Sequence, residues 1–315
     1  MYIGIDLGGT NIAAAIVEAD GKITKRVSIP TDKSEGARTI SRGLLSVCET
    51  LLAAEAEAPL SIGIGVPGSV SDETGEVIFT PNLPLRGENI TRDLQMVYDC
   101  PIRLGNDANC AALGEIIAGG AKGAKNVVFV TLGTGVGGGI IQNGSLLTGL
   151  SGAASELGHM VILEGGRECG CGRRGCWESY ASATGLIITA KELMTAHNDS
   201  MLWKLCGGNA SKINGSLIFE AYRAGDEAAC SAVESYVKHL AAGIVNVINV
   251  IDPEMICVGG GISNEWDSLS GALFDIVEAE QYYRYKTQAP RTRIVRAELG
   301  NDAGIIGAAM LGVET

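Results

Sequence analysis

Three cysteines and a histidine crowd into the segment ELGHMVILEGGRECGCGRRGCWESYAS, residues 156–182. Nine residues separate His159 from Cys169, one separates Cys169 from Cys171, and four separate Cys171 from Cys176. One nitrogen and three thiolates meet the four-coordinate demand of a structural Zn²⁺, and Gly170, Gly172 and Gly175 let the backbone fold around an ion. Arg173 and Arg174 are placed to offset the negative charge of a tris-thiolate site. Disulfides are the competing account, but three cysteines cannot pair off. Four protein ligands leave no open position, which argues against a catalytic ion. Glu156 and Glu178 flank the cluster, where a metal knot would hold both as rigid acceptors for the hydroxyls of a polyol; either alone reads equally well as a solvated surface glutamate.

A second chemical signal lies in the glycines. The chain has 44, and they concentrate where strand-like runs end: Gly8-Gly9, Gly63 to Gly68, Gly133 to Gly139 and Gly259 to Gly261. Such turns bring backbone N–H groups up to an anion without a Cβ in the way. The pattern G-x-G-x-x-G occurs at Gly63, Gly65 and Gly68 and again at Gly133, Gly135 and Gly138, yet neither copy runs from strand through turn into helix as a dinucleotide fingerprint requires. No Walker A pattern is present. Phosphates would therefore sit on paired hairpin turns, with Thr10 and Thr134 in comparable places and Asp6, at a strand end, as a holder of hydrated Mg²⁺. A turn-capping role for Asp6 is the plainer alternative.

The elements that position these groups repeat. A run MYIGID, a turn LGGT, a run IAAAIV, a hairpin signal at Asp20-Gly21 and a run KITKRVSI recur about 125 residues later as NVVFVTL, GTGVGGG, GIIQ, Asn143-Gly144 and SLLTG. This duplication predicts two lobes with a ligand between them. Ile40, Leu44, Leu45, Val47, Leu51 and Leu52 mark a covering helix that Pro59 closes. LSIGIGVPG, PIRLGND and EMICV read as buried strands. Helices are predicted after Asn106-Asp107, over DEAACSAVESYVKHLAAGIVNVINVI up to Asp252-Pro253, and at GNDAGIIGAAML. The patterning is α/β.

Composition narrows the function. With 46% hydrophobic residues in 315, the chain can bury a sizeable core and predicts two domains. A formal charge of -12 argues against nucleic acid or anionic membranes as partners. Met1 leads straight into YIGID with no basic and apolar leader, and the longest apolar stretch, residues 242–251, is too short to span a bilayer. A cytoplasmic location is expected, where thiols stay reduced, so Cys48, Cys100, Cys110, Cys206, Cys230 and Cys257 read as small hydrophobes.

Taken in order, GIDLGGTN, GNDAN, TLGTGVGGG, GAASELGH, CGCGRRGCWE and VGGGIS resemble the ROK family of bacterial sugar kinases and repressors, over Tyr2 to about Ala309. Among its members the bacterial ATP-dependent glucokinases are most similar. The resemblance implies an actin-like ATPase (sugar kinase) fold, α/β, with two RNase-H-like lobes and a cleft between them. Residues 1–107 with about 299–315 would form one lobe and about 108–298 the other. It implies ATP binding by Asp6, Gly8, Gly9, Thr10, Asn11, Thr131, Gly133, Thr134 and Gly135, with Gly259, Gly260 and Gly261 at the adenosine. Sugar hydroxyls would be held by Asn82, Asn106, Asp107, Glu156, His159 and Glu178, with Asp107 as catalytic base. The metal ligands would be His159, Cys169, Cys171 and Cys176, and Mg²⁺ would accompany ATP. The expected activity is phosphorylation of the 6-hydroxyl of a hexose, glucose first, by a homo-oligomer, dimer or tetramer. Two departures bear on the sugar: NLPLRG lacks a tryptophan that many family glucokinases carry after the position of Asn82, and Gly105 stands where a glutamate is common.

Two alternatives compete with this reading. A kinase for N-acetylmannosamine, N-acetylglucosamine, allose or fructose would carry the same motifs. A sugar-responsive repressor would carry a DNA-binding helix-turn-helix ahead of Tyr2 and a basic face, and this sequence shows neither.

Overall fold

The computed structural model describes residues 1–282 and 291–313. The chain opens with β1 (Tyr2–Leu7), β2 (Asn11–Val17) and β3 (Ile23–Pro30), then α1 (Ala37–Leu52) and β4 (Ile62–Val66). Short strands β5 (Ser69–Ser71), β6 (Glu76–Phe79) and β7 (Glu88–Asn89) come before α2 (Arg92–Val97), β8 (Ile102–Asn106) and α3 (Asp107–Ala118). The duplicated run gives β9 (Val127–Leu132), β10 (Val136–Gln142) and β11 (Ser145–Leu146). Helices α4 (Glu178–Ala181), α5 (Ala183–Ala196), α6 (Met201–Leu205), α7 (Gly215–Arg223) and α8 (Glu227–Ile251) lead to β12 (Met255–Gly259), α9 (Trp266–Glu280), β13 (Arg293–Arg296) and α10 (Asp302–Ala309).

Two five-stranded sheets share one plan. The first runs β3-β2-β1-β4-β8 and the second β11-β10-β9-β12-β13, so each strand of the repeat holds the same place in its own sheet. A separate three-stranded sheet, β5-β6-β7, follows the Gly63 to Gly68 run. In the first sheet β1 pairs antiparallel with β2, Leu7 opposite Ile12, which leaves Gly8 to Thr10 as the turn. On its other side β1 runs parallel to β4, and β4 parallel to β8. Parallel central strands are covered on both faces, and every residue of β4 is accordingly buried. The edge strand β3 alternates half-buried with exposed residues along its length. Ile3, Ile5, Leu7, Ile12, Leu44, Val47, Leu51, Ile62 and Ile64 build the core beneath α1.

Packing divides the chain into two compact units: residues 1–129, 138–155 and 297–315, and residues 130–137 and 156–296. The first extends past the boundary expected after Asp107. It takes in α3 because α3 meets α10 backbone to backbone: a Cβ on Gly307 would lie 1.6 Å from the carbonyl oxygen of Cys110, and one on Gly114 would lie 2.2 Å from that of Ala303. Positions 283–290 and 314–315 of the expected lobes lie outside the described residues. The buried Glu115 of α3 adds a polar clamp, its carboxylate accepting from the backbone N–H groups of Gly120, Glu298 and Leu299. Gly307→Ala is expected to lower stability by about 1–3 kcal/mol, because overpacking at a backbone contact forces the helices apart. A urea melt showing a lower midpoint at unchanged slope is the check. No helix among the described residues is long and apolar enough to cross a membrane.

Candidate functional site

In the first unit the β1–β2 turn carries the first set of expected ligands. Asp6, Gly8, Gly9, Thr10 and Asn11 line one cavity of about 570 Å³, together with Ser28, Arg26 and Asp302. Asp6 sits against α10 at Gly304, and burial raises its carboxyl above the ordinary value. That burial disfavours the lone anion. Thr31 braces the turn, its backbone N–H donating to Thr10 O (2.8 Å) and its hydroxyl to Gly8 O (2.7 Å). Asn82 stands beside Gly9.

Asn106 and Asp107 meet at the junction of β8 and α3. Asn106 is the N-cap: its Oδ1 accepts from Ala108 N (2.9 Å) and Asn109 N (3.1 Å), satisfying two of the donors a helix start leaves open. Its Nδ2 donates to Gly68 O (2.9 Å), tying the turn after β4 to the same point. Asp107 Oδ1 also accepts from Ala108 N (2.9 Å), so a capping share for Asp107 exists beside that of Asn106. One turn on, Cys110 is fully buried; burial first, then the charges of Asp107 and Asp6, pushes its thiol up. Asp6 and Asp107 therefore act on a common neighbour. The loop after β11 reaches α3 through Ser155, whose hydroxyl contacts Asn109 Oδ1 at 3.1 Å.

In the second unit the cysteine–histidine segment closes on itself. The ligand atoms of His159, Cys169, Cys171 and Cys176 all lie within 4.8 Å of one another. Cys169 Sγ is 3.6 Å from His159 Nδ1, and Cys171 Sγ is 3.7 Å from Cys176 Sγ. A tetrahedral ion bound to sulfur at about 2.3 Å has ligand-to-ligand edges of roughly 3.8 Å, so the four atoms have the spacing a metal ion needs. Burial raises the Cys176 thiol to about 12, whereas the backbone N–H of Arg173 holds Cys171 below its ordinary value. Loading a metal would release thiol protons. Only part of the expected basic screen faces the cluster: Arg174 pairs with Glu168 at 2.7 Å, while Arg173 donates to the carbonyl of His159 at 3.2 Å.

With Nδ1 turned to the sulfur atoms, His159 presents Nε2 to Glu156, 3.9 Å from its Oε2. Glu178 joins the cluster to the second glycine turn. Its Oε1 lies 3.6 Å from Cys169 Sγ and its Oε2 accepts from Val136 N at 3.0 Å, directly after Gly133 to Gly135. Thr134 and Glu178 line a cavity of about 270 Å³ with Cys169 and Arg167. Thr184 donates to Thr134 O (2.7 Å), and Ala183 N donates to Gly133 O (2.8 Å), so the start of α5 holds that turn. Gly260, at φ 83°, presses on the backbone of Leu132, next to Thr131; a Cβ there would come within 2.5 Å. Gly259 ends β12 and Gly261 begins the following 3-10 turn. Arg167 was not anticipated: it stacks 5.0 Å over Tyr180, binds Thr189 Oγ1 (3.0 Å) and pairs with Glu192 (2.5 Å), bracing the loop that carries Cys169. Its place inside the cysteine segment was the available signal.

The model of the ROK family matches residues 2–314. The chain belongs to the ROK family. A glucokinase of Halalkalibacterium halodurans is 37% identical over 314 residues, 98% of this chain and 94% of that protein. An N-acetyl-D-glucosamine kinase of Salmonella gallinarum is 34% identical over 327 residues, 99% of each. Among solved structures, a ROK family glucokinase from Streptomyces griseus in complex with glucose and AMPPNP matches with a TM-score of 0.76 and 34% identity over 98% of both chains. The α/β architecture is that of ROK and actin-fold sugar kinases, as the sequence resemblance implied.

Proposed function

We propose that this ROK family chain is an ATP-dependent hexose kinase that phosphorylates the 6-hydroxyl of glucose. The observation that carries the reading is Glu178, one carboxylate touching both Cys169 of the metal-ligand cluster and the N–H that follows the Gly133–Gly135 turn. A hydroxyl-binding group is thereby tied to a phosphate-type turn within one unit. Glucokinases among the relatives support it.

In this account Asp107 accepts the proton of the attacking hydroxyl, while Asn82, Asn106, Glu156, His159 and Glu178 orient the sugar. The turns at Gly8 to Asn11 and at Gly133 to Gly135, with Thr131, offer donors to the phosphates, and Gly259 to Gly261 face the adenosine. Asp6 holds Mg²⁺ through its waters, an ion that neutralises phosphate charge when bound. Zinc at His159, Cys169, Cys171 and Cys176 would be structural and leaves His159 Nε2 as a fixed donor to a sugar hydroxyl.

A second reading, an N-acetylhexosamine kinase, is supported by the N-acetyl-D-glucosamine kinases among the relatives. Gly105 has no room for a side chain, since a Cβ would meet Cys110 Sγ at 2.9 Å and Leu311 Cδ1 at 3.0 Å. It lines a cavity of about 530 Å³ beside Asn106, Ser151 and Gly152. A coupled assay across glucose, mannose, fructose, allose and the two N-acetylhexosamines decides between them. Glucose is expected to show the highest kcat/KM; a higher value for N-acetylglucosamine transfers the assignment to the second reading.

A further inference from the structure

We propose that Lys33 is a further catalytic residue, whose ammonium pairs with the phosphoryl group in flight; the inference rests on the kinase reading above. Lys33 follows β3 in the exposed turn before α1. Its Nζ donates to the carbonyl of Asn82 at 3.2 Å and lies 3.8 Å from where a Cβ on Gly9 would stand. It is thus placed over the first glycine turn and beside the turn assigned to the sugar.

The backbone fixes that placement. Thr31 ties the segment to Thr10 and Gly8, Gly36 N donates to Lys33 O (3.2 Å), and the Thr39 hydroxyl donates to Asp32 O (2.7 Å). The nearby acids in sequence are engaged elsewhere: Glu35 lies 3.5 Å from Arg38 and 3.8 Å from Arg42, and Asp32 accepts from Ser34 N, with the Ser34 side chain first and this backbone N–H second holding its carboxyl below the ordinary value. Among the described residues no carboxylate forms an ion pair with Lys33. Arg26, the cation lining the Gly8–Asn11 cavity, is held instead by a two-pronged pair with Asp302 at 2.5 and 2.6 Å. Lys33 is therefore the cation at this turn left for an anionic ligand.

The chemistry needs such a group. As the bond from the sugar O6 to the γ-phosphorus forms and the bond to the ADP oxygen breaks, the O6 proton passes to Asp107 and negative charge spreads over three equatorial oxygens. A cation set beside backbone N–H donors stabilises that charge without reorganising at the moment of reaction.

The test compares Lys33→Met and Lys33→Arg in the full chain with glucose and Mg-ATP. Lys33→Met is expected to lower kcat by about 10²-fold, the scale of losing one transition-state donor. Its glucose Kd and Tm should match the parent, and Lys33→Arg should recover most of the rate. A parental kcat in Lys33→Met overturns the proposal. So does a raised glucose Kd with kcat intact, which would leave Lys33 as a brace for Asn82. A parent chain inert toward every hexose brings down the kinase reading and this inference with it, and is seen before any variant is made.

Discussion

Asp107→Asn is expected to lower kcat by roughly 10²–10⁴-fold, the range general-base catalysis supplies, while the protein keeps its fold and its sugar affinity. The structure separates the two roles that meet at this position. Asn106 Oδ1 takes both Ala108 N and Asn109 N, so the start of α3 is satisfied without Asp107, and an amide oxygen at position 107 can still accept from Ala108 N. What the amide loses is the ability to take a proton. The companion variant Asn106→Ala should instead cost about 1 kcal/mol of stability through the lost cap. Steady-state kinetics and thermal melts on both variants make the check. A near-normal kcat in Asp107→Asn would remove it as the base, and a collapse of folding would make it a cap.

The second large effect is expected from the cysteine cluster. Cys171 is exposed, whereas Cys176 is buried in the core, so Cys171→Ser removes a ligand with little loss of packing. Metal content should fall, and glucose affinity should drop by roughly 10 to 100-fold, as when the support of a metal site is disrupted. Nucleotide affinity should change less, because the tie from the cluster to the Gly133–Gly135 turn runs through Glu178, which this substitution leaves in place. Calorimetry with each ligand, beside metal analysis and circular dichroism, reads the outcome. A metal-free, folded variant that binds glucose as tightly as the parent would reduce the cluster to a remote staple.

Much of this was readable from residue order, and the reasons are physical. The repeated strand, glycine turn, strand and hairpin signals became two sheets with corresponding strand orders, since alternation and turn chemistry are local. Asp252-Pro253 stopped α8, with Asp252 in the left-handed region. By contrast α1 ends at Leu52, short of Pro59. Residues 53–58 are good helix formers, but their alanines and glutamates offer no large apolar side chain to bury, and tertiary packing overrides propensity. Strands β5 to β7 are too short to show a period, and α6, at five residues, is as well. In the site, the cluster of His159, Cys169, Cys171 and Cys176 was visible because identity and spacing define it. The bond from Glu178 to Val136 spans 42 residues and has no sequence signature. Lys33 and Arg167 look like any surface cation until their neighbours are known.

Phosphorus NMR of the reaction mixture observes transfer of the γ-phosphoryl group of ATP to O6 of glucose directly. With Mg-ATP and glucose, the γ-phosphorus signal is expected to fall as a 6-phosphate ester signal and that of ADP grow in equal amounts. ATP consumed with release of inorganic phosphate and no sugar phosphate, or no turnover with glucose or any other hexose, would contradict the proposed transfer.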